Sequence, residues 1–261
     1  MLSGILLLKL CLVPALIYAV SLIGRRWGAG VAGWISALPI VAGPILLAIA
    51  LERGADFAAI SAANTLLAVI ACVAFCLAYA WASARAGVAG SLASSLAAFA
   101  VAGALLQTVA IPPWLGYPVV LVLLALAPAA FPRVPAPVLG QARSMPDLPF
   151  RMLAGALLTV SVTLAAGDLG PRVAGLLAMF PVMGTILTGF THRASGRAAA
   201  VALLRGMVLG YFAFASFCVV LAYGLRAWPL GLAFGCAVAC ALAVQVSMKR
   251  FGRAALAPAK A

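Results

Sequence analysis

From Phe57 to Ser83 the chain carries no charged residue, and comparable apolar runs recur along its length. A helix rises about 1.5 Å per residue, so about 20 apolar residues cover the roughly 30 Å hydrocarbon core of a bilayer. Lipid offers no partner to backbone N–H and C=O groups, so such runs must close their own hydrogen bonds as helices. Composition agrees. Of 261 residues, 67% are apolar and 8% are charged, where a soluble domain carries roughly 25% charged residues. An ordinary soluble domain and a disordered chain are both excluded. What remains is an all-α polytopic transmembrane helical bundle in contact with the lipid bilayer.

Hydropathy and helix breakers predict nine spans: Gly4–Gly24, Val31–Leu51, Phe57–Ser83, Gly87–Ala110, Trp114–Phe131, Phe150–Gly167, Val173–Thr191, Ala198–Leu225 and Pro229–Val246. The first is expected to be a mature helix. A signal peptide opens on a basic region, and here the first basic residue, Lys9, comes late. One long Pro-rich loop, Pro132–Pro149, interrupts the series.

The net charge of +13 is a topology signal and not a nucleic-acid footprint. With nine spans the loops alternate sides. Thirteen Lys and Arg residues then fall on one side, from Arg25 and Arg26 through Arg133 and Arg193 to the basic tail. Lys9, Arg53, Arg172 and Arg226 fall on the other, with three of the four acids. Excess Lys and Arg marks the cytoplasmic side. The expectation is a bacterial inner-membrane protein with a periplasmic amino terminus and a cytoplasmic carboxyl terminus. Six cysteines, Cys11, Cys72, Cys76, Cys218, Cys236 and Cys240, all lie in apolar runs and read as small core side chains. No metal or cofactor is expected.

An offset of 142 residues superimposes the chain on itself. It places Val31-Ala32-Gly33 on Val173-Ala174-Gly175, Gly28 on Gly170, Pro39 on Pro181, Gly54 on Gly196, and Phe75-Cys76 on Phe217-Cys218. Gly90 falls on Gly231 with a shift of one residue. The domain plan is a first four-span repeat over 1–110, a linker helix over 111–131, a cytoplasmic loop over 132–149, a second repeat over 150–247, and a basic tail over 248–261. The intervening odd span inverts the second unit. Its charges agree, since the acidic turn Glu52–Asp56 falls on the basic turn His192–Arg197. Inverted repeats are a signature of secondary transporters.

The stretch Val173-Ala174-Gly175-Leu176-Leu177-Ala178-Met179-Phe180-Pro181, followed by His192 and Arg205-Gly206, resembles the GlpM-type family of small four-span inner-membrane proteins. The resemblance covers 150–246, and the first unit more weakly, where Trp34 and Leu38 replace Leu176 and Phe180. It implies a four-span unit and carries no defined activity. The four-plus-one-plus-four plan is similar to that of drug/metabolite transporters by architecture alone.

Enzyme chemistry lacks its parts. The single His, His192, and the acids Glu52, Asp56, Asp147 and Asp168 fall in loops or at span ends, and the Ser residues of the fourth span have no base in reach. The stronger constellation is Pro39, Gly43 and Pro44 in the second span with Pro181 and Gly184 in the seventh. Equivalent helix breaks in equivalent spans point to a transporter binding site, although Pro also makes plain packing kinks. Asn64 and Arg205, two turns into the third and eighth spans, are the intramembrane polar candidates. Arg205 either faces a cavity or snorkels to the headgroups. Lys9 and Arg151 read as interface anchors. The expected function is a secondary transporter or permease of a small organic solute, anionic if Arg205 faces the cavity. The alternative is a non-transporting membrane subunit supporting another complex. Oligomeric state is left open.

The charge bias makes a direct prediction. A reporter active only in the periplasm, fused after Lys260, should stay silent. Strong activity there would overturn the nine-span count together with the orientation.

Overall fold

The computed structural model describes residues 4–109, 111–135, 147–168 and 180–255. All regular structure among them is helical. In chain order the helices are α1 (Gly4–Trp27), α2 (Ala29–Ser36), α3 (Ala42–Arg53), α4 (Ala55–Ala82), α5 (Val88–Leu106), α6 (Pro113–Ala130) and α7 (Leu148–Asp168). The run Val182–Ala227 is divided at Gly196 into α8 (182–195) and α9 (197–227), and α10 is Leu230–Ala255. Among the described residues six helical runs are long and apolar enough to cross a membrane. The chain is a multi-pass integral membrane protein.

The second expected span, Val31–Leu51, is not one helix. It is α2 and α3, 8 and 12 residues long, separated by non-helical Ala37–Val41. At about 1.5 Å per residue the two pieces together are about 30 Å long, but neither is long enough to cross a bilayer alone. The first turns of the seventh expected span, with Gly170 and Gly175, lie outside the described residues. The expected tail from 248 begins as helix, because α10 continues to Ala255.

Three glycines make the sharp corners. Gly28 joins α1 to α2, Gly54 joins α3 to α4, and Gly196 joins α8 to α9, with φ of 91°, 90° and 80° and ψ of 161°, 164° and 175°. That region of backbone space is essentially reserved for Gly. Helix bonding resumes at once. Gly54 N–H donates to Ala50 O at 3.0 Å, and Ala58 N–H donates to Gly54 O at 3.2 Å. Gly54 and Gly196 are partners under the 142-residue offset.

The core is a close stack of backbones. A Cβ on Gly33 would overlap the Leu203 carbonyl, one on Gly206 the Gly30 carbonyl, and one on Gly210 the Trp34 carbonyl. Small residues at i and i+4 let spanning helices approach in this way, where lipid provides no hydrophobic drive. The α2–α9 contact therefore holds an element of the first half against one of the second. Arg151 departs from its reading as an interface anchor. It is fully buried, paired with Asp147 at 2.8 Å and set 5.4 Å from the Phe190 ring centre. Its Nε also donates to Asp147 Oδ2 at 2.9 Å. A buried guanidinium is tolerable only when paired and bonded like this. Lys9, at the matching position, is half-buried.

These glycines separate two costs. Gly54→Ala and Gly196→Ala meet open space, so only backbone strain of about 1–3 kcal/mol is expected. Gly33→Ala and Gly206→Ala drive a methyl into rigid backbone and should cost about 3 kcal/mol. Melting in detergent should lower Tm for all four, most for the second pair.

Candidate functional site

The site is built from two interruptions of helix. At the first, Pro39 has no N–H, and its ring disfavours helical backbone at Leu38. Ile40 N–H donates across Pro39 to Leu38 O at 2.8 Å, closing a three-residue turn. Three carbonyls near the end of α2 find protein donors. Leu38 N–H donates to Ile35 O at 3.1 Å, Ser36 Oγ to Gly33 O at 2.8 Å, and Gln245 Nε2 from α10 to Trp34 O at 2.9 Å. Gly43 N–H then donates to Pro39 O at 2.8 Å and α3 begins.

The second interruption repeats these bonds. Val182 N–H donates to Phe180 O at 2.8 Å around Pro181, whose φ of −78° and ψ of 62° are those of an inverse γ-turn. Thr185 N–H donates to Pro181 O at 2.8 Å, and Thr185 Oγ1 donates to the same oxygen at 2.9 Å. Under the offset Leu38, Ile40 and Gly43 fall on Phe180, Val182 and Thr185, so equivalent residues make equivalent turns. Pro181 is buried and Pro39 half-buried. Pro44 plays a different part from the one expected. It is the third residue of α3, where the missing N–H has no intrahelical partner in any case, so it stiffens a helix start and breaks nothing.

Each turn is abutted by a phenylalanine from the opposite half. A Cβ on Gly184 would lie 3.3 Å from Phe75 Cε1, and one on Gly43 would lie 3.6 Å from Phe217 Cζ. Phe75 and Phe217 are fully buried and are themselves partners under the offset. Pro39, Gly43, Pro181 and Gly184 thus belong to one doubled arrangement.

The other two expected residues do not join it. Asn64 is exposed on α4. Arg205 turns towards the carboxyl end of α6. Its Nη2 donates to Pro132 O at 3.0 Å, and its guanidinium sits 5.6 Å from the Phe131 ring centre. Pro132 lies two residues past α6, and the carboxyl end of a helix favours a nearby cation such as Arg205. Its guanidinium is held by protein beside α6, so the argument for an anionic solute loses that residue.

Sequence reasoning missed a polar seam between α4 and α8. Tyr79 Oη and His192 Nδ1 share a hydrogen bond of 2.9 Å, with their rings edge to face. Arg197 Nε donates to Ser83 Oγ at 3.2 Å. Between these pairs and Gly184, Thr188 is fully buried, and its hydroxyl has no hydrogen-bond partner among the described residues. Spacing held the clue, since Tyr79 and Ser83 are i, i+4, as are Thr188 and His192. Gln245 was also passed over, and a Gln inside a ninth span is a sequence signal in its own right. No group of three or more His, Cys, Asp or Glu residues is assembled among the described residues.

No family model, no curated protein and no solved structure matches the chain. The functional reading rests on the geometry.

The cross-packing can be tested through size. Gly184→Val should press on Phe75 and cost about 1–3 kcal/mol. Gly43→Ala meets Phe217 at ordinary contact distance and should leave Tm nearly unchanged in detergent. Equal losses would contradict the packing described.

Proposed function

We propose that this protein is a bacterial inner-membrane secondary transporter of a small organic solute, built as two inverted four-span units around α6. One observation carries the reading: Pro39 and Pro181 form the same turn at matching positions, each packed against a Phe of the other unit. In transporters of inverted design, discontinuous helices place their ends at the bilayer midplane, where the solute binds. About 12 Å of α2 and 18 Å of α3 flank the first turn, which puts it near mid-depth of a crossing. The amino ends of α3 and α8 begin at the turns. Their partial positive charge suits an anionic group on the solute, which restores by another route the preference that Arg205 no longer supports.

Under the nine-span plan the carboxyl ends of α4, α6 and α8 lie in the cytoplasm. The contacts fit a single end for all three. Tyr79 reaches His192, Trp81 Nε1 donates to Ala130 O at 2.9 Å, and Arg205 reaches Pro132. At the opposite end of α6, Tyr117 Oη and Ser216 Oγ share a hydrogen bond of 2.9 Å. The resemblance of 150–246 to GlpM-type proteins fits a four-span unit. The repeat fits the paired corners at Gly54 and Gly196.

A second reading, a membrane subunit that supports another complex, is favoured by one observation. The Gly33 and Trp34 carbonyls before Pro39 are satisfied by protein side chains, as a packing kink would require. Uptake decides between them. Purified protein in proteoliposomes should accumulate at least one member of a panel of labelled small carboxylates in a saturable way. Pro39→Ala with Pro181→Ala should abolish uptake while the elution profile is kept. If no carboxylate, neutral or cationic solute crosses, the supporting-subunit reading replaces this one.

A further inference from the structure

We propose that the seam between α4 and α8 is the water-accessible route from the Pro181 turn to the cytoplasm, and that the equivalent positions of the other unit form a dry closure on the periplasmic side. The inference rests on the transport reading and assigns its two access routes unequal chemistry.

The seam has a polar group at every turn. Thr185 lies at the Pro181 turn, with its hydroxyl on the Pro181 carbonyl. Thr188 follows one turn later, then His192 bonded to Tyr79, then Arg197 bonded to Ser83 at the corner made by Gly196. Thr185, Thr188 and His192 are spaced i, i+3, i+7 and share one face of α8. Tyr79 and Ser83 share one face of α4.

The offset of 142 residues gives each of these positions a counterpart. Tyr79 corresponds to Leu221, Ser83 to Leu225, Thr188 to Leu46, and His192 to Ala50. These four are apolar and buried, while Thr185 corresponds to Gly43 and Arg197 to the exposed Ala55. The Phe at the inner end of each set, Phe75 or Phe217, is unchanged. The two units therefore share the proline and the facing phenylalanine at each turn and differ in polarity on the way out.

The divergence has an energetic direction. Parting an apolar set of side chains exposes hydrocarbon to water in proportion to the area uncovered. Parting the polar set exchanges protein hydrogen bonds for water hydrogen bonds, which is close to neutral. Thr188 even gains, because its buried hydroxyl has no partner while the seam is closed. The cytoplasmic seam is thus the one that opens readily. In the structure it is closed by the Tyr79–His192 bond at 2.9 Å.

Cysteine accessibility tests this without any knowledge of the solute. Thr188→Cys and Ser83→Cys report on the polar seam, and Leu46→Cys and Leu225→Cys report on its counterpart. The Thr and Ser variants nearly preserve side-chain size, whereas the Leu variants are smaller and so, if anything, favour entry of the reagent. The probe is sulfonatoethyl methanethiosulfonate, which does not cross membranes, applied to inside-out and right-side-out vesicles. Peptide mapping by mass spectrometry assigns label to each position, so the six native cysteines stay in place. Thr188→Cys and Ser83→Cys should be labelled from the cytoplasmic face about tenfold or more faster than either Leu variant from the periplasmic face, because a thiol reacts as hydrated thiolate. His192→Ala, which removes the closing bond, should speed labelling at Thr188→Cys further. The proposal fails if both seam cysteines resist the reagent while Arg193→Cys, exposed at the same end, is labelled. It also fails if Leu46→Cys or Leu225→Cys reacts as fast as they do. Two reporters per route keep the result readable if one variant does not fold. Labelling of the seam without uptake of any solute would overturn the transport reading and leave the hydrated seam standing.

Discussion

A carbonyl left open in hydrocarbon costs several kcal/mol, and that constraint explains most of what holds this bundle together. Pro39 and Pro181 each lack an N–H just before a helix begins, at α3 and at α8. The chain answers locally first, with a three-residue turn at each proline and with Ser36 and Thr185 hydroxyls folded back onto Gly33 O and Pro181 O. It then answers from a distance. Gln245 comes from α10, more than two hundred residues away, to meet Trp34 O. The same Trp34 carbonyl lies where Gly210 has no side chain. The broken crossing is therefore wedged between α9 and α10, and the packing order of the late helices follows from the break in an early one.

The second demand of this kind falls on α6. Its carboxyl-terminal carbonyls need donors that no following turn supplies. Trp81 from α4 and Arg205 from α9 provide one each, at Ala130 and Pro132. Tyr117 is bonded to Ser216 of α9 near its amino end. The linker is thus fixed to both halves at one end and to α9 at the other.

Much of this was legible in the sequence because lipid makes hydropathy informative. The cores of α1, α4, α5 and α6 lie where the apolar runs put them, with ends displaced by at most four residues. The offset of Gly54 and Gly196 was readable, and both adopt the same Gly-only backbone. What stayed hidden depended on direction. Hydropathy gives a residue's depth along a helix and not the side it faces. Arg205 has the depth of a cavity residue but reaches α6, and Asn64 has similar depth but is exposed. Arg151 has the position of an anchor but is buried, because Asp147 one turn earlier neutralises it. The Tyr79–His192 bond joins residues 113 apart, and no local pattern announces which partner a long side chain will find.

The helix breaks alone do not separate a transporter from a packed scaffold. A packing kink needs its loose carbonyls closed, and near Pro39 Gly33, Trp34, Ile35, Leu38 and Pro39 all have acceptor bonds. What a kink does not need is a copy of itself. Two backbone bonds of the first turn recur in the second, and the turns are faced by Phe217 and Phe75, which are partners under the offset. Nor does a kink need polarity on one way out and none on the other. Thr188 is the sharpest instance, because a buried hydroxyl without a partner is destabilising where Leu46 shows that an apolar side chain fits. A scaffold under pressure only to stay folded would replace it. A protein that must part this seam and let water in gains from keeping it.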